Sequence, residues 1–117
     1  SGSYKLVYRL MANTYVNAKV DLTGTSVTVL YTCAALTTGI VKSILVSEDS
    51  GNADTITVTI TNASSAVFSL FKTKSVSANT TVELLSAPLV VQAGEILKVT
   101  AATADRLHVV ASILEIT

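Results

Sequence analysis

An all-β fold is predicted, an antiparallel β-sandwich of about eight strands with jelly-roll-like connections. Three observations point to it. Thr, Val and Ile supply 40 of the 117 residues, and β-branched side chains, stiff at χ1, fit the pleated strand better than the helix. Apolar residues nowhere keep a helical period over three turns. Turn residues recur at roughly 8–12-residue spacing, as in sandwiches and jelly rolls. The length fits one domain, residues 1–117, with residues 1–22 as an N-terminal arm or exchanged strand.

Tyr4, Leu6, Tyr8 and Leu10 alternate with Lys5 and Arg9, which predicts a first strand. Before Asp21 the charged residues are Lys5, Arg9 and Lys19, so this end is basic although the whole chain has a net charge of +0. Tyrosine offers a large contact area with few rotatable bonds, and Tyr4, Lys5, Tyr8 and Arg9 are the expected partner-contacting residues. The other reading is an ordinary edge strand. Thr23-Gly24-Thr25 would serve as the hinge of an exchanged strand.

Val27, Val29 and Tyr31 alternate with Thr28, Leu30 and Thr32 to give the next strand. Ile40 to Val46 is apolar in places on both faces, which predicts a central strand buried on two sides. Asp49 to Asp54 reads as a loop, because its Asp, Ser, Gly and Asn residues close turns. Ile56, Val58 and Ile60 then point one way, with Thr55, Thr57, Thr59 and Thr61 the other. Val67, Phe68, Leu70 and Phe71 are expected to supply bulky core groups in a chain without Trp. Pro88 marks a bend or an edge position, since it cannot donate to a ladder. Ala93-Gly94-Glu95 turns into Ile96–Thr100, and Ala101–Asp105 leads to the last strand, Leu107 to Ile116.

Charged residues make up 14% of the chain and hydrophobic ones 50%. Average soluble domains carry roughly 25% charge. Such a surface, with no net charge to keep copies apart, suits a subunit of a homo-oligomer or larger assembly. Cys33 is the only cysteine, so an intrachain disulfide and multi-cysteine zinc sites are excluded and an intracellular origin is expected. Apolar runs fall short of the roughly 18 residues of a membrane helix, and Ser1-Gly2-Ser3 does not open like a signal peptide.

Chemistry is sparse. His108 is the sole histidine, set inside a predicted strand just after Asp105, and no nucleophile-elbow pattern accompanies it. No catalytic residue is assigned, and His108 is expected to face solvent or a subunit seam. Asp49, Asn52 and Asp54 could offer oxygens to calcium, but they lack the alternating acidic positions and terminal Glu of a calcium loop. A plain polar turn, with no metal and no cofactor, is the expectation. Cys33 among Ala34, Ala35 and Leu36 reads as a buried, inert thiol. The charge balance opposes a phosphate-binding surface, so nucleic acid is not an expected partner.

Residues 78–99 (ANTTVELLSAPLVVQAGEILKV) and the ending LHVVASILEI carry a resemblance. Over residues 39–117 the chain resembles small β-rich virion structural proteins of tailed bacteriophages, in its strand and turn pattern rather than in a site motif. The resemblance implies a non-enzymatic capsid decoration (cement) subunit, or a small tail or head-to-tail component. The partners would be other copies of the chain and the major capsid or tail protein. The location would be the virion, assembled in the host cytoplasm. A host- or ligand-binding β module is the alternative from another class.

Overall fold

The computed structural model describes residues 11–117, and it is all-β: among these residues there is no helix. The strands are β1 (Asn13–Asp21), β2 (Thr28–Thr32), β3 (Thr38–Glu48), β4 (Asp54–Thr61), β5 (Val67–Val76), β6 (Thr81–Glu83), β7 (Leu89–Val91), β8 (Ile96–Ala101) and β9 (Leu107–Ile116). One sheet has the order β1-β9-β3-β6, with β7 also on β3, and the other β2-β8-β4-β5; every pairing is antiparallel.

Strands β6 and β7 share one edge position, β6 opposite Leu45–Ser47 and β7 opposite Gly39–Val41. Pro88 lies in the segment that separates them, where a missing donor costs the ladder nothing. With this split edge counted once, the sheets read 1-9-3-6/7 and 2-8-4-5. The chain changes sheet at every connection except the β4–β5 hairpin and the break inside the split edge. Eight strand positions connected in this way form a jelly roll.

The core lies between the sheets. Val41, Ile44 and Val46 of β3 and Val109, Ala111 and Ile113 of β9 face Ile56 and Val58 of β4 and Leu97 and Val99 of β8, all buried. Full burial of each larger aliphatic contributes about 1.5–3 kcal/mol, which is why the period-2 pattern fixes the register.

Three expectations need correction. Strand β3 is central but buried on one face only: Val41, Ile44 and Val46 point inward, while Leu45 is exposed and Ile40 half-buried. Nothing covers the outer side of its sheet among the described residues. Phe68 is 54% exposed and Val67 is exposed too, because β5 is an edge strand; Leu70 and Phe71 are only partly buried against the core. Pairing shifts between Ile56 and Val58 and between Val58 and Thr59 put bulges in β5. Bulges of this kind blunt an open edge. Thr61 breaks the threonine row, since it is buried and its hydroxyl lacks a partner among the described residues.

Candidate functional site

The side chains with chemical potential fall into three structural knots and one open surface. In the first knot the β1–β9 and β3–β9 registers bring Asp21, His108 and Ser47 into one row on the outside of the sheet. Asp49 follows β3 directly. His108 Nε2 lies 3.2 Å from Asp21 Oδ1, and Nδ1 lies 3.4 Å from Asp49 Oδ2, with all three side chains substantially exposed. A hydrolytic base needs one ring nitrogen for the nucleophile while the other is oriented by a carboxylate. Here carboxylates face both nitrogens, so the arrangement ties β1, β9 and the end of β3 together. The sequence suggested Asp105 as the acidic neighbour of His108. The sheet register supplies Asp21 and Asp49 instead, and Asp105 donates its N–H to Leu22 O with a positive φ of 64°.

The second knot is built on Glu48, the last residue of β3, only 2% exposed. Its carboxylate accepts from the Ser50 hydroxyl and from the N–H groups of Ser50 (2.9 Å), Gly51 (3.0 Å) and Asn79 (3.1 Å). Burial works to raise its pKa, but the bonds from Ser50, Asn79 and Gly51 outweigh that and hold it at about 2. Gly51, at a φ of 83°, supplies the left-handed residue of the turn. Sequence reading missed Glu48, although an acidic residue immediately before a turn-rich stretch was the available signal.

The candidate calcium ligands take separate jobs. Asp49 meets His108, Asn52 bonds back to Ser50, and Asp54 accepts from the N–H groups of Thr55 (2.8 Å) and Thr103 (3.1 Å). No group of three or more metal-ligating side chains converges among the described residues.

The third knot joins the two sheets. Tyr31 of β2 donates its hydroxyl to Glu115 Oε2 of β9 at 2.6 Å, and burial, followed by this bond, pushes the phenol pKa strongly upward. Gly39 of β3 leaves room for the ring, since a Cβ there would lie 2.9 Å from the Tyr31 hydroxyl oxygen. Cys33, 1% exposed, directs its thiol to Thr37 O at 3.3 Å. A thiol so enclosed matches the inert cysteine expected from its neighbours.

The remaining feature is the outer face of the β1-β9-β3-β6/β7 sheet. One cross-strand row runs Tyr15–Leu114–Ile40–Val90, and another runs Lys19–Val110–Leu45–Glu83. Tyr15 is 75% and Val90 52% exposed, with Leu45 and Val110 also open. The second sheet's outer face carries Thr57, Thr59, Lys98 and Thr100. On the first sheet the two apolar rows alternate with polar ones, Asn17–Ser112–Ser43 between them and Asp21–His108–Ser47–Thr81 beyond, and the second sheet exposes Val29, Val67 and Phe68.

Tyr4, Lys5, Tyr8 and Arg9, the residues expected to contact partners, lie outside the described residues. Asn13–Asp21, within the stretch read as an arm, pairs along its whole length with β9 of the same chain. No helix of the described residues is long and apolar enough to cross a membrane. No family model matches the chain, and no curated protein matches it either.

Proposed function

We propose that the chain is a non-enzymatic virion structural protein, a capsid decoration subunit that strengthens a particle by covering seams between its neighbours. The observation that carries this reading is the pair of apolar rows, with Tyr15, Val90, Leu45 and Val110 exposed, on the outer face of the β1-β9-β3-β6/β7 sheet of a chain with only 14% charged residues. Apolar side chains open to water favour association, because covering them removes apolar area from solvent. The jelly-roll topology supports the same reading, since capsid domains are among the proteins that use it, although topology alone does not assign a function. The strand-and-turn resemblance to small phage virion proteins supplies the particular setting. Catalysis is disfavoured by the carboxylates that face both nitrogens of the only histidine.

The test is co-sedimentation of the purified full chain with expanded tailed-phage capsids from the same source, alongside a glycan array. Saturable capsid binding with raised thermal resistance of the particle, and no glycan binding, is the expected result. Glycan binding without capsid binding would replace this reading by a host-recognition module.

A further inference from the structure

We propose that the outer face of the β1-β9-β3-β6/β7 sheet is a two-fold self-association surface whose occupant is the same face of a second copy. The inference rests on the reading of the chain as an assembly subunit and narrows the partner to the chain itself.

The argument is charge complementarity across the row Lys19–Val110–Leu45–Glu83. The ammonium of Lys19 stands at the β1 end, bonded to Asn17 Oδ1 at 3.0 Å, and it pairs with no carboxylate among the described residues. The carboxylate of Glu83 stands at the other end. Its bonds from the Ser43 hydroxyl and from Ile44 N–H (2.8 Å) and Leu85 N–H (3.2 Å) fix it in place.

A two-fold axis lying in the interface, parallel to the strands and between β9 and β3, keeps each row in register and exchanges its ends. Lys19 of each copy then sits over Glu83 of the other, and Val110 over Leu45. The row Tyr15–Leu114–Ile40–Val90 likewise packs on itself. An axis perpendicular to the strands serves the charges less well. Placed on the charged row it sets Lys19 against Lys19, placed between the two apolar rows it sets Lys19 over Tyr15 and Glu83 over Val90, and placed beside the Asp21 row it sets Lys19 over Asp21 but leaves Glu83 over Thr81 and Val110 over His108. The polar row Asn17–Ser112–Ser43 separates the two apolar rows and packs on its own counterpart, and Lys42, exposed at the pairing shift between Val41 and Ser43, has a long stem that can carry its ammonium to the rim.

Size sets the strength. Four strand positions at about 4.8 Å and four row steps of about 6.8 Å, the last being the row of Asp21 and His108, cover on the order of 500 Å² per copy, or about 1,000 Å² in total. That is the lower bound of specific interfaces, so a dissociation constant in the micromolar range is expected.

The experiment is sedimentation velocity on the full chain up to about 0.5 mM, comparing wild type with Leu45→Lys, Lys19→Glu and, on the opposite sheet, Lys98→Glu. Circular dichroism checks that each variant is folded. The dimer should weaken at least about tenfold in the first two and be unchanged in the third. Because the first two substitutions lie within β3 and β1 themselves, a second measurement mixes Leu45→Cys with Val110→Cys chains under oxidation. The mixture should cross-link faster than either variant alone, while the enclosed Cys33 stays silent.

A wild type that remains monomeric, or a dimer indifferent to Leu45→Lys and Lys19→Glu, overturns the proposal. So does a monomeric full chain whose truncation after residue 10 dimerises, since the face would then belong to the chain's own N-terminal segment. A monomer that still binds capsids sinks the pairing and leaves the virion reading standing. A dimer that ignores capsids does the reverse.

Discussion

Gly39→Ala tests whether the two sheets are fastened through Tyr31. The added Cβ would stand 2.9 Å from the Tyr31 hydroxyl oxygen, 3.1 Å from Cε2 and 3.3 Å from Cζ. The first distance is shorter than real Cβ contacts, so the ring must move. It cannot move freely, because its hydroxyl is held by Glu115 at 2.6 Å and its ring is packed in the core. Forced repacking costs roughly 1–3 kcal/mol, and weakening a hydrogen bond to a carboxylate adds about 1 kcal/mol or more. Loss of glycine's freedom in the unfolded chain returns about 0.4–1 kcal/mol. The net expectation is a loss of about 2–3 kcal/mol, or about 6–12 °C in Tm for a domain of this size. Urea denaturation at pH 7 measures it. The decisive form is a double-mutant cycle with Tyr31→Phe, which removes the atom that the new Cβ meets first. In that background Gly39→Ala should cost at least about 1 kcal/mol less. Costs that add within about 0.5 kcal/mol would mean that Gly39 and Tyr31 do not share one constraint, and the fastening argument would be wrong.

Two further outcomes follow from the other knots. The folded pKa of Glu48 is depressed to about 2, so its stabilising contribution is present above the unfolded carboxylate range near 4.5 and is lost as pH falls toward 2; acid titrations of wild type should be steeper over that window than those of Glu48→Gln, and equal slopes would remove Glu48 as the cause. Tyr31 is shifted the other way, its phenol raised by burial and by the bond to Glu115. Its contribution is complete below the unfolded value of about 10 and declines as pH rises beyond it. Wild type should therefore lose stability above pH ~10 more steeply than Tyr31→Phe, as read from denaturation midpoints between pH ~9 and ~11.5.

The legibility of this chain follows the physics of alternation. Strand β9 was readable as Leu107 to Ile116 because Leu107, Val109, Ala111 and Ile113 fall on one face of an extended chain, and burial selects that face. Ile56 and Val58 were readable for the same reason. Alternation does not say whether a strand is central or at an edge. Phe68 consequently looked like core, although β5 is an edge strand interrupted by bulges and leaves Phe68 exposed. Nor does it reveal partners far apart in sequence. Asp21 and Asp49 reach His108 only through the pairings of β1 and β3 with β9, and Glu115 meets Tyr31 across 84 positions. Glu48 and Glu83 drew no attention in the sequence, yet both organise backbone donors around a carboxylate.

The same distinction explains why composition pointed toward assembly without pointing to a surface. A hydrophobic fraction of 50% spread evenly over a sandwich would leave scattered apolar residues on every side, and such residues need no explanation. Both sheets expose apolar side chains, Val29, Val67 and Phe68 on the second, but register aligns those of the first into two cross-strand rows, Tyr15–Leu114–Ile40–Val90 and Val110–Leu45 between Lys19 and Glu83. A one-residue shift in β1 would turn Tyr15 inward and present Val16 and Val20 instead, and the nine consecutive pairs with β9 oppose that shift. The two apolar rows are thus fixed by the same ladder that builds the core. A substitution that abolishes association while leaving the fold intact must therefore come from the outward positions, and Lys19, Leu45 and Val110 are such positions.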